Sequence, residues 1–111
     1  MSLEQTWEVF KGLDDPKQYH HNGELVGVMA SILSSTTRTV YSMAKDDRFT
    51  IGMLRDLTHY RDNEPDITLC LVTDQPSAFD KIRNILEQRY NFICIPYGDV
   101  MYSFYFKEKR S

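Results

Sequence analysis

Cysteine is scarce in this chain of 111 residues: Cys70 and Cys94 are the only two. A secreted disulfide scaffold of this size carries more, so both thiols are expected to be reduced and buried in a cytoplasmic protein. No apolar run approaches the roughly 18–20 residues that cross a bilayer. The start also lacks the basic, then apolar, then small-residue order of a signal peptide. Excess positive charge is missing too. Thirteen Lys and Arg stand against sixteen Asp and Glu, for a net charge of −3 and a pI near 5.5. That balance argues against a protein that relies on bulk attraction to a phosphate backbone.

The familiar chemical signatures are absent as well. There is no GxxxxGK[ST] loop, GxGxxG turn or GxSxG elbow. His20 and His21 are adjacent and His59 is remote, with no HxxxH, HExxH or CxxC spacing. Zinc needs three or four converging ligands, so no metal site is expected. Acidic pairs such as Asp14-Asp15 and Asp46-Asp47 supply carboxylates, but acids in turns are common and no catalytic set emerges. The sequence therefore leans away from an enzyme, and no cofactor is expected.

What is present is one domain with uneven charge. Residues 62–80 carry five acids and no base, whereas residues 25–61 carry five bases against three acids. Ser2 followed by Gln5 has capping-box spacing, and Leu3, Trp7 and Phe10 share a helical face, which predicts a helix over 2–11. Asp15-Pro16 and Asn22-Gly23 are turn signals, so 14–23 reads as a loop. From Leu25 to Met43 the apolar residues fit a helical stripe. The hydroxyl run Ser34-Ser35-Thr36-Thr37 competes for backbone hydrogen bonds. A hairpin of Leu25–Leu33 and Thr37–Met43 is thus the alternative. A further helix is expected over 50–61.

The C-terminal half, about 65–109, is expected to read strand, helix, strand, hairpin, strand. The strands are Ile67–Val72, Phe92–Ile95 and Val100–Phe106, with a helix over 76–90. A right-handed crossover makes the first two strands parallel, and the very apolar last strand is placed between them. The fold class is α+β: a helical half, about 1–62, and a C-terminal three-stranded mixed sheet in strand order 1-3-2 backed by one helix. In that sheet Ile93 and Ile95 share the helix-covered face with Leu69 and Leu71. Cys70 and Cys94 lie together on the second face, about 10 Å apart across the central strand. That face is covered by the protein's own helices or by a second copy in a homodimer.

For function, elimination points to a small non-catalytic regulator or adaptor, of inhibitor or immunity type, that acts by binding another protein. Tyr19, Tyr60 and Tyr97, each beside a turn, are its candidate contacts. The alternative is a nucleic-acid-binding regulator in which 36–61 forms a helix-turn-helix-like segment presenting Arg48, Arg55 and Arg61 to phosphates. Asp46, Asp47 and Asp56 interrupt that basic surface.

Overall fold

A computed structural model describes residues 2–73, 76–97 and 103–108. Its elements run α1 (Leu3–Phe10), β1 (Asp14–His21), β2 (Glu24–Leu33), β3 (Thr37–Ala44), a short 3₁₀ turn (Lys45–Asp47), α2 (Ile51–Asn63), β4 (Thr68–Thr73), α3 (Pro76–Arg89), β5 (Phe92–Tyr97) and β6 (Ser103–Glu108). The strands form a single mixed sheet in the order β1-β2-β3-β4-β6-β5. Among the described residues the one parallel pair is β3 and β4, from Thr37 opposite Thr68 to Ser42 opposite Thr73, and α2 is their crossover. The other neighbours are antiparallel.

This architecture overturns the expected fold class. The domain is α+β, but its N-terminal half contributes three strands, and the sheet has six strands rather than three. The misreading has a physical cause. Residues 24–33 form an inner strand in which Gly27 to Ser31 are all buried, with α1 over one face and Met53 of α2 packed with Met29 on the other, so both faces carry apolar side chains. Such a run loses the period-2 signature and mimics a helical stripe. The hydroxyl run is the turn of a hairpin: the Ser34 hydroxyl donates to the Thr37 carbonyl (3.0 Å) and accepts from its N–H (3.2 Å).

The 14–21 segment, expected as loop, is an edge strand. Its tip is a two-residue turn in which Asn22 (φ 50°) and Gly23 (φ 80°) both adopt left-handed backbone, the conformation of a type I′ hairpin turn. His21 pairs with Glu24 across it. Pro16 falls where the register slips between Asp14 and Lys17, and Asp15 there has φ 50°. A bulge on an edge strand is where a proline is tolerated.

Alternation along β3 is strict, with Arg38, Val40, Ser42 and Ala44 buried on one face. Helices α2 and α3 cover that face. Met29, Val40, Leu69, Leu71, Phe92 and Cys94 of the sheet pack there against Met53, Leu54, Leu57, Ile82 and Leu86 of the two helices. On the opposite face α1 lies over β2 and β3. The Thr6 hydroxyl meets the Met43 sulfur at 3.2 Å, and the Phe10 ring lies 6.5 Å from that of Tyr41. Helix α1 begins with the capping box read from Ser2 and Gln5.

The phase of β5 is the reverse of the expectation. Phe92 and Cys94 are buried on the helix side, whereas Ile93 and Ile95 are each 42% exposed on the other. A one-residue slip exchanges the faces of an entire strand. Through the register, Cys94 stands opposite Phe106 and Leu69, while Cys70 stands opposite Tyr105 and Ile95. The two thiols therefore lie on opposite faces of the sheet, not together on one. Val100, Met101 and Tyr102 of the expected last strand lie outside the described residues.

Candidate anion-binding site

The link from β3 to α2 leaves the carboxyl end of the parallel pair, where crossover connections commonly build ligand sites. It meets the tip of the β1–β2 hairpin, because β2 begins where β3 ends. Together they enclose an open groove of about 670 Å³. The hairpin contributes Gln18, Tyr19, His20, His21, Glu24 and Val26. The link contributes Lys45, Asp46 and Arg48, and the start of α2 supplies Thr50, Ile51 and Gly52.

Each contribution has a local cause. Asp46 takes left-handed backbone (φ 55°) and turns the chain away from the sheet. Thr50 then caps α2, its hydroxyl accepting from the Met53 N–H at 3.2 Å. The N–H groups of Ile51 and Gly52, in the first turn, have no carbonyl partner within the helix. No acidic side chain occupies that turn, so the positive end of the helix dipole is not neutralised by its own sequence. Gly52 keeps the groove floor thin. A Cβ there would stand 3.2 Å from the Tyr19 ring, so any other residue would push the ring back by a few tenths of an ångström.

Arg48 is exposed and forms no ion pair among the described residues. Lys45 reaches across the mouth to Glu24 at 2.5 Å. That contact holds the Glu24 carboxyl below its usual range and the Lys45 ammonium above its own, in each case first through the hydrogen bond and then through charge. Two cations, two imidazoles and a helix start thus face one cavity that also carries two acids. This arrangement can hold an anion.

A second cluster lies on the same side of the sheet, between β1 and α2. Arg38 is 7% exposed. It grips both oxygens of Glu64 (2.7 and 2.8 Å) and donates to Asp14 and Ser31 (2.7 Å each). Hydrogen bonding to Glu64, above all, raises its pKa further. The Tyr60 ring lies 4.6 Å from the guanidinium, and its hydroxyl donates to Asp15 at 2.5 Å. Lys17 lies 3.4 Å from Asp56, to which the Tyr19 hydroxyl donates at 2.5 Å. Burial first, and then these aspartates, hold both tyrosine hydroxyls well above the ordinary tyrosine range. A smaller hollow of about 420 Å³ sits over this cluster. Its charges are spent on one another, so it fastens β1 to α2 and offers a ligand little.

The residues singled out from sequence fall in different places. Tyr19 and Tyr60 are half-buried members of this bracket. The side chain of Tyr97 lies outside the described residues. Segment 36–61 is strand, turn and helix, so the expected helix-turn-helix is corrected: 37–44 is β3, held in the sheet on both sides. Arg48, Arg55 and Arg61 form no common basic surface. Arg48 lines the groove, and Arg55 is exposed elsewhere on α2. Arg61 is pinned inward, bonded to Asp62 and the Tyr90 carbonyl and lying 4.6 Å from the Phe92 ring. His20 and His21 line the groove and gather no metal set among the described residues.

Lys45, Glu24 and Gly52 were missed. Their only sequence signal is a Thr cap with glycine two residues on, which gains meaning once the preceding segment is known to be a strand. Cys94 is buried, and burial, with Glu87 nearby, pushes its thiol up to about 12. No helix among the described residues is long and apolar enough to cross a membrane. Set against known protein families, curated proteins and solved structures, the chain matches none.

Proposed function

We propose that the protein binds a phosphate-bearing small molecule of nucleotide size in the groove at the carboxyl end of β3. The observation that carries this reading is the convergence of Arg48, Lys45 and the acid-free first turn of α2 on one cavity of about 670 Å³. That volume falls in the usual range for small-molecule sites, roughly 300–1,000 Å³. Helix starts with free N–H groups favour phosphate, and a guanidinium adds a planar pair of donors. The groove supports binding as cofactor or effector, and no bond-making step is assigned to it.

Calorimetric titration with ATP tests the reading. Wild-type protein is expected to bind, and more weakly as salt rises. Arg48→Ala is expected to lose about tenfold in affinity, which is ~1.4 kcal/mol, while Arg55→Ala leaves it unchanged. Absence of ATP binding by the wild type, or equal losses in both variants, sinks the proposal.

One observation favours a second reading, a regulator that binds protein through the sheet face opposite α2 and α3. Ile93 and Ile95 stand exposed there on edge strand β5, and an edge with apolar side chains is a template for pairing. A second copy is one such occupant. Sedimentation that stays monomeric at every concentration removes the homodimer form of this reading.

A further inference from the structure

The groove contains an anion of its own, and its position is specific. Glu24 is the first residue of β2, fixed by the Asn22-Gly23 turn and by its pairing with His21. Lys45 follows the last residue of β3. Their side chains meet at 2.5 Å across the mouth, with 59% and 46% of their respective surfaces open to water. Both line the same cavity as Arg48. The carboxylate therefore sits on the cation that an incoming phosphate needs.

Building on the phosphate-binding reading above, we propose that Glu24 is a built-in counterion that the ligand must displace from Lys45, and that it tunes the groove for multiply charged phosphates. The exchange explains the selectivity. A carboxylate ligand replaces one carboxylate by another and gains little. A di- or triphosphate brings more charge than Glu24 removes and engages Arg48 and the helix start at the same time. Asp46 also lines the groove but forms no ion pair with Lys45 among the described residues, so it lowers affinity only through its field.

ATP titrations of the wild type, Glu24→Gln, Lys45→Ala and the double variant test this. Melting curves accompany them to confirm that these exposed substitutions leave the fold intact. Glu24→Gln is expected to tighten ATP roughly two- to fivefold, as suits a solvent-screened pair, and to raise affinity for a dicarboxylate such as succinate. The same substitution on the Lys45→Ala background is expected to give no gain. If the gain persists without Lys45, Glu24 acts only through the general field and the counterion role is overturned. If wild-type protein binds ATP with Arg48 dependence but Glu24→Gln gives no gain, the counterion role fails and the phosphate site stands. If neither wild type nor Glu24→Gln binds ATP, both fail.

Discussion

Arg38 shows how much one buried charge organises. Its guanidinium sits inside the sheet face, and the acids that satisfy it come from β1 and from the residue after α2. Removing it leaves Glu64 partly buried without its partner. Breaking such a pair costs about 3 kcal/mol where desolvation is substantial. Arg38→Ala is therefore expected to lower Tm by roughly 10–20 °C, measured by calorimetry. Arg38→Lys is expected to recover less than half of the loss, because an ammonium cannot hold both Glu64 oxygens in the same plane. Full recovery with lysine contradicts the bidentate role.

Tyr19 and Tyr60 give a pH prediction from the same bracket. Both hydroxyls titrate above their unfolded value of about 10 when folded. For a group with a raised folded pKa, the folded state holds the proton more tightly. Its stabilising contribution is complete below pH ~10 and is lost as pH rises above it. Denaturant midpoints are expected to fall across that alkaline window, with tyrosinate absorbance from these two residues appearing only on unfolding. Replacing both by Phe is expected to flatten the alkaline decline, and an unchanged slope contradicts the assignment.

Among the elements, legibility follows from how completely each is covered. Helix α1 was readable because Ser2 and Gln5 form a local motif and one face is wet. Thr50 likewise marks the start of α2, and the apolar residues from Ile67 to Val72 mark β4. For β2 the residues allowed two readings, a helical stripe and a hairpin of Leu25–Leu33 with Thr37–Met43, because a strand buried on both faces from Gly27 to Ser31 shows no alternation, and the structure has the hairpin. Strand β1 failed for the opposite reason: "DDPKQYHH" is polar, with proline at its bulge, and polar contacts to α2 hold it in place. The Asn22-Gly23 pair was the signal for the β1–β2 hairpin, and it outweighs the poor strand propensity of β1. With 24–44 read first as a helical stripe and only alternatively as a hairpin, no strand-to-helix junction was used to place an anion site. The groove was thus hidden by the same error that hid the sheet. Thr50→Ala tests the junction. Loss of an N-cap costs about 1 kcal/mol, so a modest fall in stability is expected, with weaker ATP binding as the first turn of α2 frays. Unchanged affinity means that this turn does not touch the ligand.

At the scale of the molecule, the two sides of the sheet have different work. One side carries the core, built on α2 and α3, and the Arg38 bracket, and the groove lies where α2 starts beside the β1–β2 hairpin. The other carries α1 over β2 and β3, and the exposed Ile93 and Ile95 of β5. The mild net charge of −3 hides this division, since a local cluster of two cations and a helix start vanishes in a whole-chain sum. That is why composition argued against bulk attraction to a nucleic-acid backbone while the groove argues for a small phosphate ligand.

Backbone amide resonances followed while ATP is added report directly on whether the groove binds phosphate. Binding in the groove predicts the largest shifts at Ile51 and Gly52, with smaller ones at Lys45, Arg48 and His21 and none along β5. Shifts that centre on Ile93 and Ile95, or no saturable shifts at all, contradict it.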